Sequence, residues 1–351
     1  MFEAVVALCL AAEPKICRAR LVPGYRMASL SGCEAALNSS PPLMNFLVTN
    51  FPQRLIAAPP HCQQTGPEAA VIEAAPGLFV HMGAVADVSA ANAGDVSNSG
   101  FIIGTRGVAV IDSGGSRQVG EELYRAIRSQ TDLPILYVIL THMHPDHVLG
   151  ASVFAEAGAR VVGHEALPRA LADRAQTYLA NFELLTGAQA LIGTQPVLPD
   201  EVITATSSLD LGGRVISLQA WPNAHTGTDL TVGDPTSGIL FAGDLLFHRH
   251  APALDGSVLG WRRVLTQMQS LLYTQVVPGH GGPLLPWPDA AAPLQDYLEV
   301  LITETRAAIT RGDTLGEAVQ TIAFGEADAW ELFDLFNARN ATVAYTELEW
   351  E

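Results

Sequence analysis

The sequence predicts an α/β fold in which two β-sheets pack face to face with helices outside, preceded by a small N-terminal segment that bears every cysteine. Three observations carry this reading. Short β-rich runs alternate with helix-like stretches in two halves of similar size. Several apolar runs end directly on a histidine or an aspartate. Cys9, Cys17, Cys33 and Cys62 all lie in the first 62 residues of a 351-residue chain. That length suits a large domain with a smaller one, and the change of tone sets the division at residues 1–70 and 71–351.

The first segment, through Gln64, reads as irregular, closing on Ala57-Ala58-Pro59-Pro60. Its four cysteines read as two disulfides, with three connectivities open, and so point to an oxidising compartment, the periplasm or the exterior. A zinc site and reduced thiols are the rival readings; spacings of 8, 16 and 29 residues lack the CxxC pairs of a zinc knuckle. Met1–Ala12 resembles the apolar core of a signal peptide, yet carries Glu3 where a positive region is expected and Cys9 within the apolar run.

From Ala74 onward, turn residues separate β-rich runs at Gly77–Met82, Gly100–Thr105 and Gly107–Asp112. A helical pattern at Val119–Ser129 leads to an apolar strand, Leu133–Leu140. The second half repeats the scheme with strands at Val215–Ala220, Leu230–Val232 and Gly238–Phe241, a helix at Leu259–Leu272, a buried strand ending at Val276-Val277, and helices over Ala290–Asn340. No fixed-period repeat is present, which disfavours a solenoid. Hydrophobic residues at 48% against charged residues at 16% describe a core-rich chain. A formal charge of −17 with no Lys/Arg cluster disfavours nucleic acid. No apolar run reaches the roughly 18 residues that a membrane span needs.

The chemistry concentrates where strands end. Leu133–Leu140 delivers Thr141-His142-Met143-His144-Pro145-Asp146-His147. Three imidazoles and a carboxylate after a buried strand are costly without partners. In a tight loop, His142 and His144 can reach one cation while Asp146 and His147 reach a second. His225 follows Trp221-Pro222-Asn223-Ala224, Asp244 follows Leu240-Phe241-Ala242-Gly243, and His280 sits in Pro278-Gly279-His280-Gly281. Five histidines and two aspartates are enough for two metals gathered on one rim of the sandwich. This imidazole-rich N/O set suits zinc, and iron or manganese fit it too.

The order HxHxDH, His, GD, PGHG resembles the metallo-β-lactamase superfamily over about Ala74–Gly282. The resemblance implies an αββα sandwich with His142, His144 and His225 on the first metal, Asp146, His147 and His280 on the second, and Asp244 bridging them. Asp244 stands where the best-known lactamase subclass has Cys, which places the chain nearer the glyoxalase-II-like hydrolases. The stretches His225–Val232, Ala242–Phe247, Pro252–Ser257 and Gly260-Trp261, with the cysteine-bearing front, further resemble the quinoprotein relay system zinc metallohydrolases, also described as SoxH-related. That resemblance implies export and a quinoprotein dehydrogenase as partner.

Supporting roles are assigned more loosely. Asp112 and Thr141 are candidates to orient the ligands from behind. His164, Tyr178, Trp221 and His248 are candidate pocket residues, with Asn181, Phe182 and His250 near them; His61 and His81 have no such placement. Tyr178 and Phe182, four apart, also fit a helix's core face.

Two cations sharing a water lower its pKa toward neutrality and give a hydroxide nucleophile without a protein base, which suits a hydrolase acting on a small-molecule ester, thioester or lactam-like amide, with Asp146 as the candidate catalytic residue. No GxSxG elbow or cysteine follows residue 62, against a covalent acyl-enzyme. The alternatives are a metal-binding accessory protein for quinoprotein maturation and a di-iron redox protein.

Overall fold

The computed structural model of the chain describes residues 1–42 and 55–351. The remaining part of the segment read as irregular lies outside the described residues. What is described there is ordered, which corrects that reading. β1 (Phe2–Leu10) pairs antiparallel with β2 (Cys17–Met27) on one side and with β3 (Leu55–Ala57) and β4 (His61–Gln64) on the other. A helix at Leu30–Ser39, capped by the Ser29 hydroxyl, packs beside them. The run that resembles a signal core is therefore the central strand of a small sheet: Ala4, Val6 and Leu8 are buried with Val22, Cys33 and Ile192. Of the open cysteine connectivities, Cys9–Cys17 and Cys33–Cys62 are the pairs formed.

Two larger sheets follow. The first runs from β5 (Val71–Ala75) through β6 (Leu78–His81), β7 (Ser99–Ile103), β8 (Val108–Ile111), β9 (Ile135–Ile139) and β10 (Arg160–His164) to β11 (Glu201–Ile203), in spatial order. It is antiparallel up to β8 and parallel beyond it. The second holds β12 (Thr206–Asp210), β13 (Val215–Ala220), β14 (Leu230–Asp234), β15 (Ile239–Phe247), β16 (Gln275–His280) and β17 (Leu285–Pro286), again in order, with β15 and β16 parallel.

Apolar side chains from both sheets meet in one layer, including Val80, Ile111, Ile139 and Val162 from the first and Ile216, Val232, Phe241 and Val277 from the second. The first sheet's outer face is covered by helices Arg117–Gln130, Ser152–Glu156 and Leu167–Thr186. The second is covered by Val258–Met268, Ala292–Arg311 and Phe333–Leu348. This is the αββα arrangement the sequence predicts.

The N-terminal sheet is tied to the sandwich by buried charge. Arg117, fully buried, donates from Nε to Glu121 at 2.9 Å, from Nη2 to Glu156 at 2.7 Å, and from Nη1 to Ser152 Oγ at 2.8 Å. Arg18 and Arg20 from β2 reach the same two glutamates, and Arg125 pairs with Glu3 at 2.9 Å. Glu121 stays ionised although burial opposes it, because Arg18, Arg117 and Arg125 surround it.

Removing one member leaves the others charged and buried. Arg117→Ala is expected to lower stability by about 3–5 kcal/mol in urea unfolding; a loss under about 1 kcal/mol would mean Arg18 and Arg20 suffice. Cys33–Cys62 spans 29 residues and Cys9–Cys17 only 8, so breaking the first pair with serine should lower Tm more than breaking the second. The reverse order in a calorimetric scan would show that loop closure is not what these bridges contribute.

Candidate metal centre

The centre is assembled where strands stop. β9 is an interior strand of the first sheet, parallel to both of its neighbours, and its end releases Thr141–His147. Pro145 opens the short helix Pro145–Val148, which turns Asp146 and His147 back over the sheet. From the second sheet, His225 comes from the β13–β14 connection, Asp244 from within β15, and His280 from the end of β16. The β15–β16 register shifts between Phe241 and Gly243 and again before Phe247, so an irregularity aims Asp244. Gly279 is required by close approach: a Cβ there would lie 1.9 Å from Asp244 Oδ1.

The seven residues predicted as ligands converge. His142, His144, His225 and Asp244 form one group able to hold an ion, and Asp146, His147 and His280 a second, with ligand atoms in each group within 4.8 Å of one another. Asp244 lies between them, its Oδ2 3.4 Å from His225 Nε2 and 3.3 Å from His280 Nε2, its Oδ1 3.1 Å from His147 Nε2. Asp146 Oδ2 is 3.3 Å from His280 Nε2.

Each imidazole is oriented from behind. His225 Nδ1–H donates to Ala253 O at 2.6 Å, and His280 Nδ1–H to Val96 O at 2.9 Å. His147 Nδ1–H donates to Asp112 Oδ2 at 2.8 Å. The single Thr141 hydroxyl hydrogen goes to that carboxylate at 2.8 Å, so the hydroxyl accepts from His142 Nδ1–H at 3.0 Å. His144 is reversed: Nε2–H faces Asp255 Oδ2 at 3.3 Å. Every ring thus spends its N–H outward and turns one lone pair inward. Asp112 also takes the Thr141 amide at 2.8 Å and holds φ at 57°, a left-handed conformation stabilised by these contacts.

This donor set fits metal ions. His142 Nε2, His147 Nε2 and Asp244 Oδ1 are buried without a satisfactory hydrogen bond, a costly state that a cation would relieve. The protonation demands point the same way. Burial holds His225 down to about 3 and lowers His142, while Asp244 and Asp146 overcome burial to raise His280 to about 9 and raise His147. Two buried carboxylates call for positive charge that the five rings supply only by taking protons.

A cavity of about 310 Å³ opens onto Asp146, Asp244, His144 and His280. Its walls include Tyr178, Asn181 and Phe182, together with Phe247, Phe336 and Val88. Arg174 bonds Asp255 at 2.6 Å on one side, and Arg339 stands on the wall with no carboxylate partner among the described residues. Of the other proposed pocket residues, His164, Trp221 and His248 are not on this wall. His164 Nδ1 accepts the Ala166 amide at 3.0 Å; Trp221 is core, donating to Thr231 Oγ1 at 3.0 Å; His248 faces a separate cleft beside Asp296 and Trp330. His250 takes the wall position instead, 4.6 Å from the His280 ring.

Several site residues were not singled out by sequence. Asp255 and Arg174 are surface-type residues brought together from 81 positions apart. Asn98 donates from Nδ2 to Pro278 O at 2.8 Å and Gly281 O at 2.7 Å, bracketing His280. Asp229, pushed up to about 8 by burial despite hydrogen bonds from Thr226, closes the turn after His225. The His-Thr-Gly-Thr-Asp run was the one available signal for it.

Comparison with known proteins agrees with this geometry. A metallo-beta-lactamase from Pontibacter korlensis superposes with a TM-score of 0.54 at 20% identity, covering 66% of this chain and 99% of that one. The stereoselective inverting sec-alkylsulfatase Pisa1 from Pseudomonas sp. gives 0.61 at 15% identity, covering 80% of this chain and 50% of that one. At such identities the likeness is one of fold. A family model for the metallo-beta-lactamase superfamily matches residues 93–280, more than half of the sequence and all seven converging residues, so this chain belongs to the metallo-beta-lactamase superfamily.

Proposed function

We propose that the protein is a dinuclear zinc hydrolase that cleaves an ester, thioester or lactam-like amide of a small molecule. The observation that carries this reading is the inward convergence of five imidazole lone pairs and two carboxylates beneath an open pocket. His142, His144 and His225 would hold one ion, Asp146, His147 and His280 the other, with Asp244 shared. Two such ions supply Lewis acidity and a water that ionises near neutral pH.

The chain's own groups do the rest. Asp146 lies on the pocket wall, where its carboxylate can accept a hydrogen bond from the attacking water and orient it. His147 and His280 flank that carboxylate and, although burial opposes ionisation, hold it well below the usual range, so it stays ionised and presents oxygens to an ion and to the water's hydrogen. Asp112 and Thr141 keep His147 and His142 in register. The aromatic wall of Phe182, Phe247 and Phe336 excludes water from the scissile group, and Arg339 offers a positive charge to the substrate's far end.

Two disulfides fit an oxidising compartment, and we place the protein in the periplasm or outside the cell. The sequence stretches that resemble quinoprotein relay metallohydrolases are our reason for proposing a quinoprotein dehydrogenase as neighbour.

Plasma mass spectrometry on protein purified without added metal should find about two zinc per chain, falling with His142→Ala and with His280→Ala. About two iron would favour a redox protein, and no metal would overturn the reading. Asp146→Asn should lower kcat by about 10²–10⁴ while circular dichroism and Tm stay close to wild type. The substrate screen covers thioesters, lactams and, because one fold neighbour is an alkylsulfatase, a secondary alkyl sulfate. Unchanged turnover in Asp146→Asn would remove that carboxylate from the mechanism. Metal without turnover on any of these, together with retention of a quinoprotein dehydrogenase on the immobilised protein, would favour an accessory role.

A further inference from the structure

The superfamily match ends at residue 280, yet one ligand histidine depends on a helix that begins more than fifty residues later. His225 is oriented by the carbonyl of Ala253. That carbonyl belongs to a segment, residues 248–257, without regular secondary structure apart from a single bridge at His250. An irregular backbone can fix a ring only if something fixes the backbone.

Asn340, 1% exposed on helix Phe333–Leu348, does so. Its Nδ2 donates to Pro252 O at 2.6 Å, and its Oδ1 accepts from Leu254 N at 2.9 Å. The amide thus grips the residues on either side of Ala253. Its second N–H goes to Tyr297 Oη at 2.8 Å, and Tyr297 in turn donates to Asn337 Oδ1 at 2.9 Å. All three polar side chains are buried, so the amide's orientation is set and leaves it one way to face the loop.

The same segment touches the centre twice more. Asp255 N donates to His225 O at 3.0 Å, and Asp255 Oδ2 accepts from His144 Nε2 at 3.3 Å. Two of the three histidines of the first group are therefore held by residues 253–255, and Asn340 is the side chain that holds 252–254. Phe336 and Arg339, beside it on the helix, line the pocket.

We infer that Asn340 is a positioning residue for the metal centre, acting through Ala253 on His225, and that the C-terminal helix is a working wall of the site. The inference rests on the metal-binding part of the proposed function and goes beyond it by assigning a role outside the matched region.

The test compares Asn340→Leu with Tyr297→Phe in otherwise full-length protein. Both disturb one buried network, but only the first releases residues 252–254. Metal uptake is read by Zn²⁺ competition against a chelator and by the visible absorption of the Co²⁺-loaded protein, with Tm followed in parallel. Asn340→Leu should weaken the first-group ion about tenfold or more and alter the Co²⁺ spectrum, whereas Tyr297→Phe should lower Tm and leave both metal readouts at wild-type values. Should Asn340→Leu fail to fold, Asn340→Asp removes the donor to Pro252 and keeps an oxygen for Leu254; it should show the same metal defect. Wild-type affinity and spectrum in the folded Asn340 variant would overturn the inference. So would an equal metal defect in Tyr297→Phe, which would mean general loosening. If the wild type bound neither ion, the functional reading itself would fall, an outcome distinct from these.

Discussion

Asp146 and Asp244 sit within hydrogen-bonding distance of the same imidazole nitrogen, Nε2 of His280, in a space closed to bulk water on most sides. Keeping two carboxylates and five rings together there requires each ring to face inward with a lone pair and to give its N–H elsewhere. The surrounding structure can be understood as the supply of those outer acceptors: Asp112 and Thr141 from the first sheet, Ala253 and Asp255 from one irregular segment, Val96 from another. Remove an acceptor and a ring is free to change tautomer, which withdraws a donor from the centre.

That requirement explains why residues far from the pocket are buried and polar. The His280 loop must pass close to Asp244, which admits only glycine at 279. At Gly281, φ is +81° and a Cβ would meet His248 O at 1.7 Å, so glycine is required again. A loop of that composition has little stiffness, and Asn98 provides it by bridging both sides of the histidine. The C-terminal helix solves the corresponding problem for His225 with a second asparagine, Asn340. Two buried amides, on unrelated elements, each span a short stretch that serves the site, Gly279-His280 in one case and Ala253 in the other.

How much of this could be read in advance follows from sequence distance. His142, His144, Asp146 and His147 occupy six positions after an apolar strand, and Asp244 and His280 each terminate or interrupt another, so local pattern locates them. The sandwich was legible for the same reason, since strand periods and glycine turns are local. Asp255, Arg174, Asn98 and Asn340 carry no such mark: the side-chain contacts that give them a role in the site reach 81 or more residues along the chain and exist only after packing. The exchange of His248 for His250 on the pocket wall comes from Arg249, whose φ of 65° turns the chain between them. The N-terminal strands were missed because β1 is apolar at nearly every position, including the half-buried ones, so its sequence lacks the alternation that marks a half-exposed strand and instead looks like a leader.

The arginine–glutamate knot beneath the N-terminal sheet has an evolutionary consequence. Arg18, Arg20, Arg117, Glu121 and Glu156 share partners, so the effect of changing any one depends on the state of the others. Such a set drifts as a unit: a lineage would cross from this charged solution to an apolar one only through several near-simultaneous replacements. An exchange of the small sheet alone would leave Glu121 and Glu156 facing a foreign surface, so it would be tolerated only where the incoming sheet carries charges equivalent to Arg18 and Arg20.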